Sequence, residues 1–404
     1  MAVGALTEIK YNPILGFKLG TVAAGIKTPG RKDLVVMQAQ AGSSMAGVFT
    51  ANAFCAAPVA RCRQHLQDDS PLALVINTGN ANAGTGVASD ADALSSCHEL
   101  AQVLNLDTSQ VLPFSTGVIG EKLPIEKILI SLPEAVKHLD INGWQDAAEG
   151  ILTTDTRTKG ASLQIEHFGH TISLTGIAKG SGMIRPNMAT MLAFVATDVQ
   201  ASPTLTQDLL NQAVNQSFNR ITVDGDMSTN DSCMLIATGA SDLCLDEDSE
   251  LVAKFSHALT ELMQQLAHAI VRDGEGATKF ISVEVDGGAN SEECLQVAYA
   301  IAHSPLIKTA MFASDPNWGR ILAAVGYSGV PNLDVNSLTI YLGDVLLVEQ
   351  GACATSYTEA AGQAVMDQEE ISITINLRRG AIKETIWTTD LSYDYVKINA
   401  DYRS

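Results

Sequence analysis

The chain has 404 residues, of which 46% are hydrophobic and 17% charged, and its formal net charge is −20. That length exceeds the usual single hydrophobic core and predicts two or three packed units, while the acidic balance argues against nucleic acid or an anionic membrane as a partner, since both require clustered Lys and Arg. No apolar run reaches the roughly 18 residues of a membrane span, and the N-terminal stretch lacks the basic region, apolar block and small-residue cleavage site of a secretory signal, so a cytoplasmic globular protein is expected. Cys55, Cys62, Cys97, Cys233, Cys244, Cys294 and Cys353 are odd in number and include no C-x-x-C pair. They read as reduced, mostly buried thiols rather than as a disulfide framework or a zinc site.

Along the chain, Leu72-Ala73-Leu74-Val75-Ile76 follows Pro71 as a continuous apolar run and predicts an interior strand that feeds Asn77-Thr78-Gly79-Asn80. Gly79 to Gly86 is glycine-rich but lacks the Lys-Ser/Thr of a P-loop and the spacing of a dinucleotide fingerprint, so it reads as a tight structural loop. His167 and His170 fall on a strand-like stretch where odd spacing sends them to opposite faces, and no metal site is expected. Pro186 fixes its own φ and biases Arg185 away from helix, so the chain enters the apolar strand Met191 to Val195 bent. A helix over 204–218 is predicted from Leu205, Leu209, Ala213 and Phe218 after Pro203, and a stronger one over 251–272 from Phe255, Leu259, Leu262, Leu266 and Ile270, closed by Asp273-Gly274. The last third is strand-rich, at Ile281 to Val285, Leu338 to Leu342, Ile371 to Leu377 and Ile382 to Trp387. Strand-like and helix-like segments alternate, which predicts a layered α/β architecture.

One threonine stands out chemically. Thr190 lies between the Pro186 bend and the apolar strand, and if the bond from Ala189 were cut it would carry its own base, a free α-amine next to its hydroxyl. A threonine at a strand start is otherwise an ordinary β-branched residue in its preferred setting. Ile184-Arg185-Pro186-Asn187-Met188-Ala189-Thr190-Met191-Leu192-Ala193-Phe194 does not stand alone. Gly79-Asn80-Ala81-Asn82-Ala83, Ser115-Thr116-Gly117-Val118-Ile119-Gly120, Thr153-Thr154-Asp155-Thr156, Ala178-Lys179-Gly180-Ser181-Gly182-Met183, Asp224-Gly225-Asp226, Arg272-Asp273-Gly274-Glu275-Gly276-Ala277-Thr278-Lys279, Asp315-Pro316-Asn317-Trp318-Gly319-Arg320 and Tyr395-Val396-Lys397-Ile398-Asn399-Ala400-Asp401-Tyr402-Arg403-Ser404 accompany it. In this order, and across nearly the whole chain, they resemble the ornithine acetyltransferases, or glutamate N-acetyltransferases, of the cyclic arginine-biosynthesis pathway.

The resemblance implies a mixed-sheet αββα-type fold and self-cleavage between Ala189 and Thr190. The products would be an α chain, 1–189, and a β chain, 190–404, assembled as an α2β2 heterotetramer. It implies transfer of acetyl from N2-acetylornithine to glutamate through an acetyl-Thr190 intermediate, with no cofactor. Some members also take acetyl from acetyl-CoA, and the sequence leaves that second donor open. Thr116 and Gly117 are the expected oxyanion donors, one through its hydroxyl and one through a backbone N–H that glycine lets approach; without the resemblance Ser115-Thr116-Gly117 would read as a turn. Lys179 is the cation and Glu275 the anion expected to hold substrate, although either alone would be a solvated surface charge. Thr153, with Thr154 as its rival, is the expected substrate-binding hydroxyl, and Asn399 and Ser404 complete the set if the C-terminal tail docks. The Gly79 loop is expected near this site.

Two other functions compete. A self-processing aminopeptidase or amidase would use the same nucleophile with water as acceptor, but would not need Lys179, Glu275, Asn399 and Ser404 in combination. A non-catalytic small-molecule binding protein would leave the Ala189–Thr190 bond intact.

Overall fold

The computed structural model describes residues 2–5, 8–185 and 191–400. The chain divides into two compact units, a larger one of Thr7–Asn219 and Asp226–Ile270 and a smaller one of Met1–Leu6, Arg220–Gly225 and Val271–Ser404.

The larger unit holds β1 (Phe17–Val22), β2 (Leu34–Ala39), β3 (Ser44–Phe49), β4 (Ala73–Asn80), β5 (Val111–Val118), β6 (Lys159–His167), β7 (His170–Lys179), β8 (Leu192–Thr197) and β9 (Ser232–Ala237). They form one sheet in the order β1-β2-β4-β5 and a second in the order β3-β9-β8-β7-β6. The continuous apolar run of β4 has a simple cause, because the strand is covered on both faces. Leu74 and Ile76 join Phe17, Val35, Met37 and Phe114 in a core shared with Ile177, Leu192, Phe194, Met234 and Ile236 of the second sheet. Ala73 and Val75 face the other way, onto Leu100 and Ala101 of helix Val87–Leu104 and Leu132 of helix Ile125–Lys137. On the outer side of the second sheet, Gly176 leaves a space filled by Val195 together with Leu262 and Leu266 of helix Ser249–Arg272. The unit is thus layered helix, sheet, sheet, helix, as expected. The two sheets meet at Phe114 and Phe194, whose rings lie edge to face with centroids 5.1 Å apart, the arrangement aromatic quadrupoles prefer.

The helix expected over 204–218 spans Pro203–Asn215, with the Ser202 hydroxyl accepting from the Leu205 N–H at its start, and the chain then tightens into a short 3-10 turn at Phe218–Arg220. The long helix runs over Ser249–Arg272 and buries Leu251, Phe255, Leu259, Leu262, Leu266 and Ile270. One expectation fails. His167 and His170 do not lie on one strand: they face each other as the closing pair of the β6–β7 hairpin. The two residues between them, Phe168 and Gly169, have φ of +47° and +82°, the backbone a type I′ hairpin turn requires. His167 is buried with Nε2 2.8 Å from Asp248 Oδ2, and no metal-binding cluster occurs among the described residues.

In the smaller unit β10 (Phe280–Gly288), β11 (Thr339–Leu342), β12 (Val345–Glu349), β13 (Ala352–Cys353), β14 (Glu370–Asn376) and β15 (Ile382–Thr389) form a mixed sheet ordered β13-β12-β11-β14-β10-β15. Alternation is clean here because one face is covered. Ile281, Val283 and Val285 of β10 and Ile371, Ile373 and Ile375 of β14 pack with Val297, Ile301, Met311, Ile321 and Val325 from three helices. The strands expected in the last third are all present; the β12–β13 hairpin was not foreseen.

Removing the aromatic contact between the sheets should be costly. Phe194→Ala leaves a cavity where no side chain can move in cheaply, so unfolding free energy should fall by about 3–5 kcal/mol, read from urea denaturation. A change near zero would show that the two sheets do not depend on this pair.

Candidate active site

Strand register decides which side chains share one end of the larger unit. Lys179, the last residue of β7, pairs with Leu192, the first of β8, and Leu192 pairs with Ser232, the first of β9. From the facing sheet β5 brings Thr116. Lys179 is only 3% exposed, and its Nζ donates to Thr116 Oγ1 at 3.2 Å. A threonine oxygen that accepts from an ammonium has its own hydrogen left to donate elsewhere, which is the polarity an oxyanion needs.

Thr116 and Gly117 are not in a turn. They sit in β5, where Gly117 has φ +135° and a Cβ would stand 2.3 Å from the Gly79 carbonyl carbon and 2.5 Å from Asn80 N. Glycine is required there by the approach of the β4 backbone. Three asparagine side chains, those of Asn77, Asn80 and Asn230, pin the same end. Ser115 Oγ donates to Asn77 Oδ1 at 2.5 Å, Asn230 Nδ2 donates to the carbonyls of Ala81 and Ser115 at 2.7 and 2.9 Å, and Asn82 N–H donates to Asn80 Oδ1 at 2.8 Å. Of the segment expected as a loop, Gly79 and Asn80 instead close β4, and the residues that follow, 81–86, are tied to the strand that bears Thr116.

A carboxylate not singled out in the sequence organises the other side. Asp155 Oδ1 accepts from Lys159 Nζ at 2.6 Å and from Gly180 N–H at 2.7 Å, and Oδ2 accepts from the Thr153 N–H at 3.0 Å and its hydroxyl at 3.5 Å. Both side chains of the Asp155–Lys159 pair are fully buried. Burial opposes the charge on Asp155, yet the ammonium groups of Lys159 and Lys179 and the Thr153 N–H hold its carboxyl well below the usual carboxylate range. Thr154 instead shares a 2.7 Å hydrogen bond with Ser181. The two rival threonines therefore have different anchors, one on the carboxylate and one on the loop after Lys179.

In the smaller unit Glu275 is 9% exposed, and its Oε2 accepts from Asn399 Nδ2 at 2.8 Å. Asn399 belongs to the C-terminal helix Tyr393–Ala400, which is held by Ser392: its hydroxyl donates to the Gly276 carbonyl at 2.6 Å and accepts from the Tyr395 N–H at 3.3 Å. The glycines around Glu275 answer to packing, since a Cβ on Gly276 would lie 2.5 Å from Tyr395 N and one on Gly274 2.9 Å from Thr389 Cγ2. Ala189, Thr190 and Ser404 lie outside the described residues.

The site thus sets a buried cation on a strand-end hydroxyl within a mixed α/β fold. The ArgJ family model matches residues 18–404. Over the full length of both chains, the protein is 58% identical to the arginine biosynthesis bifunctional protein ArgJ of Pseudomonas fluorescens and 57% identical to that of Pseudomonas syringae pv. tomato. Among solved structures, it is 41% identical to a chain of the corresponding Bacillus halodurans protein, covering 51% of this chain and 97% of that one with a TM-score of 0.49. The chain belongs to the ArgJ family, and it is an acetyltransferase of arginine biosynthesis.

The Asp155–Lys159 pair gives a test of the scaffold. Asp155→Asn leaves Lys159 buried without its counter-charge and should destabilise the protein by about 3–5 kcal/mol at neutral pH. Because the folded carboxyl lies below its unfolded value of about 3.9, the stabilisation is complete above that pH and is lost as pH falls below it. Urea titrations at neutral pH and near pH 3 should show the gap between wild type and variant narrowing on acidification. A constant gap would mean that the Asp155 charge is not what the variant removes.

Proposed function

We propose that the chain cuts itself between Ala189 and Thr190 and then carries acetyl on Thr190. The protein is a glutamate N-acetyltransferase, moving acetyl from N2-acetylornithine to glutamate, and the proposal concerns which residues do so. The observation that carries it is Lys179 buried against Thr116 at the end of β7, which pairs with Leu192 at the start of β8.

In cleavage, Thr190 Oγ attacks the Ala189 carbonyl carbon, the C–N bond breaks, and the hydroxyl proton passes to the departing nitrogen. Water then opens the ester, leaving a carboxylate on Ala189 and a free hydroxyl and α-amine on Thr190. In turnover the α-amine takes the hydroxyl proton while Oγ attacks the acetyl carbon. The oxyanion is held by the Thr116 hydroxyl and the Gly117 N–H. Collapse breaks the amide bond, and the nitrogen of ornithine leaves with the proton. The amine of glutamate attacks acetyl-Thr190, losing a proton to the Thr190 amine, and N-acetylglutamate departs. No cofactor enters this cycle. The same acetyl-threonine formed from acetyl-CoA would add N-acetylglutamate synthesis.

Lys179 and the Thr153 hydroxyl would hold the substrate carboxylate end. Glu275, steadied by Asn399, would take the ornithine side-chain ammonium, with Ser404 closing the tail. The processed chains would assemble as α2β2 in the cytoplasm. No helix among the described residues is long and apolar enough to cross a membrane.

Mass spectrometry of the purified wild type should find a new N-terminus at Thr190, and Thr190→Ala should remain one uncut, inactive chain. An uncut wild type that transfers acetyl at full rate would refute the proposal. Lys179→Ala should lower kcat/KM for acetylornithine by an amount equivalent to about 2–5 kcal/mol, measured on protein with unchanged thermal stability. Near-normal kinetics would remove Lys179 from the site.

A further inference from the structure

Lys308, in the helix Pro305–Phe312 of the smaller unit, is a buried ammonium that the acetyl-transfer steps do not use. It is 4% exposed. Its Nζ donates to Thr388 Oγ1 at 3.0 Å, to Thr389 Oγ1 at 3.2 Å and to the Thr389 carbonyl. Those acceptors match the hydrogens of a charged lysine one for one. Burial lowers the ammonium to about 8, while the charges of Asp390 and Asp224 work in its favour. The Lys308 carbonyl adds a further tie by accepting the Leu391 N–H at 3.1 Å. A lysine is rarely sealed from water unless it is paired, and here the whole of its hydrogen-bonding capacity goes to one short stretch at the end of β15.

That stretch lies against both flanks of Glu275. Thr389 Oγ1, besides accepting from Lys308, donates to the Asp390 carbonyl at 2.9 Å. The two bonds fix the rotation of the side chain and set its methyl toward Gly274, where a Cβ would stand 2.9 Å from Thr389 Cγ2. On the other flank Ser392 holds the Gly276 carbonyl. Asp390 extends the grip: its Oδ1 accepts the N–H groups of Thr278 and Lys279 at 2.8 and 2.9 Å, and its Oδ2 the Thr278 hydroxyl at 2.6 Å. Glu275 therefore stands on a bend whose residues before and after it are both referenced to the strand end that Lys308 pins.

We propose that Lys308 is a positioning residue for donor specificity: by pinning Thr388 and Thr389 it fixes where the Glu275 carboxylate stands, and so how well the site tells a donor with a side-chain ammonium from one without. This rests on Glu275 as the group that takes the ornithine ammonium. The attraction between two unit charges depends on their separation, so a carboxylate that drifts loses its hold on an ammonium. A donor without that ammonium has nothing there to lose.

The test uses the full-length wild type, Lys308→Met and Glu275→Gln, with glutamate held in excess. Two donors are compared, N2-acetylornithine and N2-acetylnorvaline, which has the same carbon chain and no side-chain ammonium. When donor and acceptor react in separate steps, kcat/KM for the donor reports the first step alone. Lys308→Met should lower kcat/KM for acetylornithine about 10-fold, the scale of a misaligned hydrogen bond to a charged group, and change that for acetylnorvaline by less than about twofold. The preference between donors then falls with the first value, whereas a general structural defect would lower both alike. A Lys308→Met protein that keeps the wild-type preference, whether both values fall or neither does, overturns the proposal. Should that variant fail to accumulate as folded protein, Thr389→Ala decides, since it removes both the hydroxyl that Lys308 holds and the methyl against Gly274. A lowered preference supports the assignment, and an unchanged one overturns it. Glu275→Gln tells the two readings apart. If it loses the preference while Lys308→Met keeps it, only the role of Lys308 falls; if it keeps the preference, Glu275 is not the partner of the ammonium and the present reading falls with it.

Discussion

The larger unit depends on one carboxylate kept charged in the protein interior. Asp155 gathers Lys159, the Gly180 N–H and both donors of Thr153, and so ties the segment before β6 to the loop that follows Lys179. A buried ion pair is seldom a net gain over apolar packing, and its value here is geometric. Lys159 and Lys179 both bear on the Asp155 charge, and Lys179 in addition donates to Thr116. Substituting the pair with apolar residues could preserve the fold and still lose the address of the cation beside the hydroxyl.

The fold was legible wherever burial imposes a periodicity. β4 and β8 show as apolar runs because they are covered on both faces, β10 and β14 as alternation because they are covered on one. The helix Ser249–Arg272 announces itself by repeated Leu at helical spacing. The β6–β7 turn did not, because Phe168 is an unusual residue at positive φ and the histidines on either side look like a continuing strand. Nor did the reason for Gly117: a glycine at a strand end reads as a turn or a donor, whereas the close approach of β4 is a property of pairing between distant segments.

The candidate site was legible in part and for a specific reason. Lys179, Thr116, Glu275 and Asn399 lie in Gly-rich or terminal segments that family resemblance can mark. Lys159 carries no such flag, and Asp155 lies inside the Thr153-Thr154-Asp155-Thr156 motif without being marked for a role. Asp155 follows two threonines like any solvated turn residue, and Lys159 opens a strand with no hint that its ammonium is sealed from water. Charged residues are rarely fully buried, so a sequence offers no basis for burying these two; only the assembled contacts do.

The order of the second sheet, β3-β9-β8-β7-β6, has a meaning for the life history of the protein. β3, β6 and β7 precede residue 189 and β8 and β9 follow it, so the two segments are interleaved within one hydrogen-bonded layer rather than laid side by side. Before a cut, these strands find one another at the high effective concentration of a single chain. After it, the same pairing is an encounter between two molecules, slower and dependent on dilution. Processing would therefore act as a ratchet: the polypeptide gets one unimolecular passage to its native state, and the mature enzyme persists by the height of its unfolding barrier rather than by its capacity to refold.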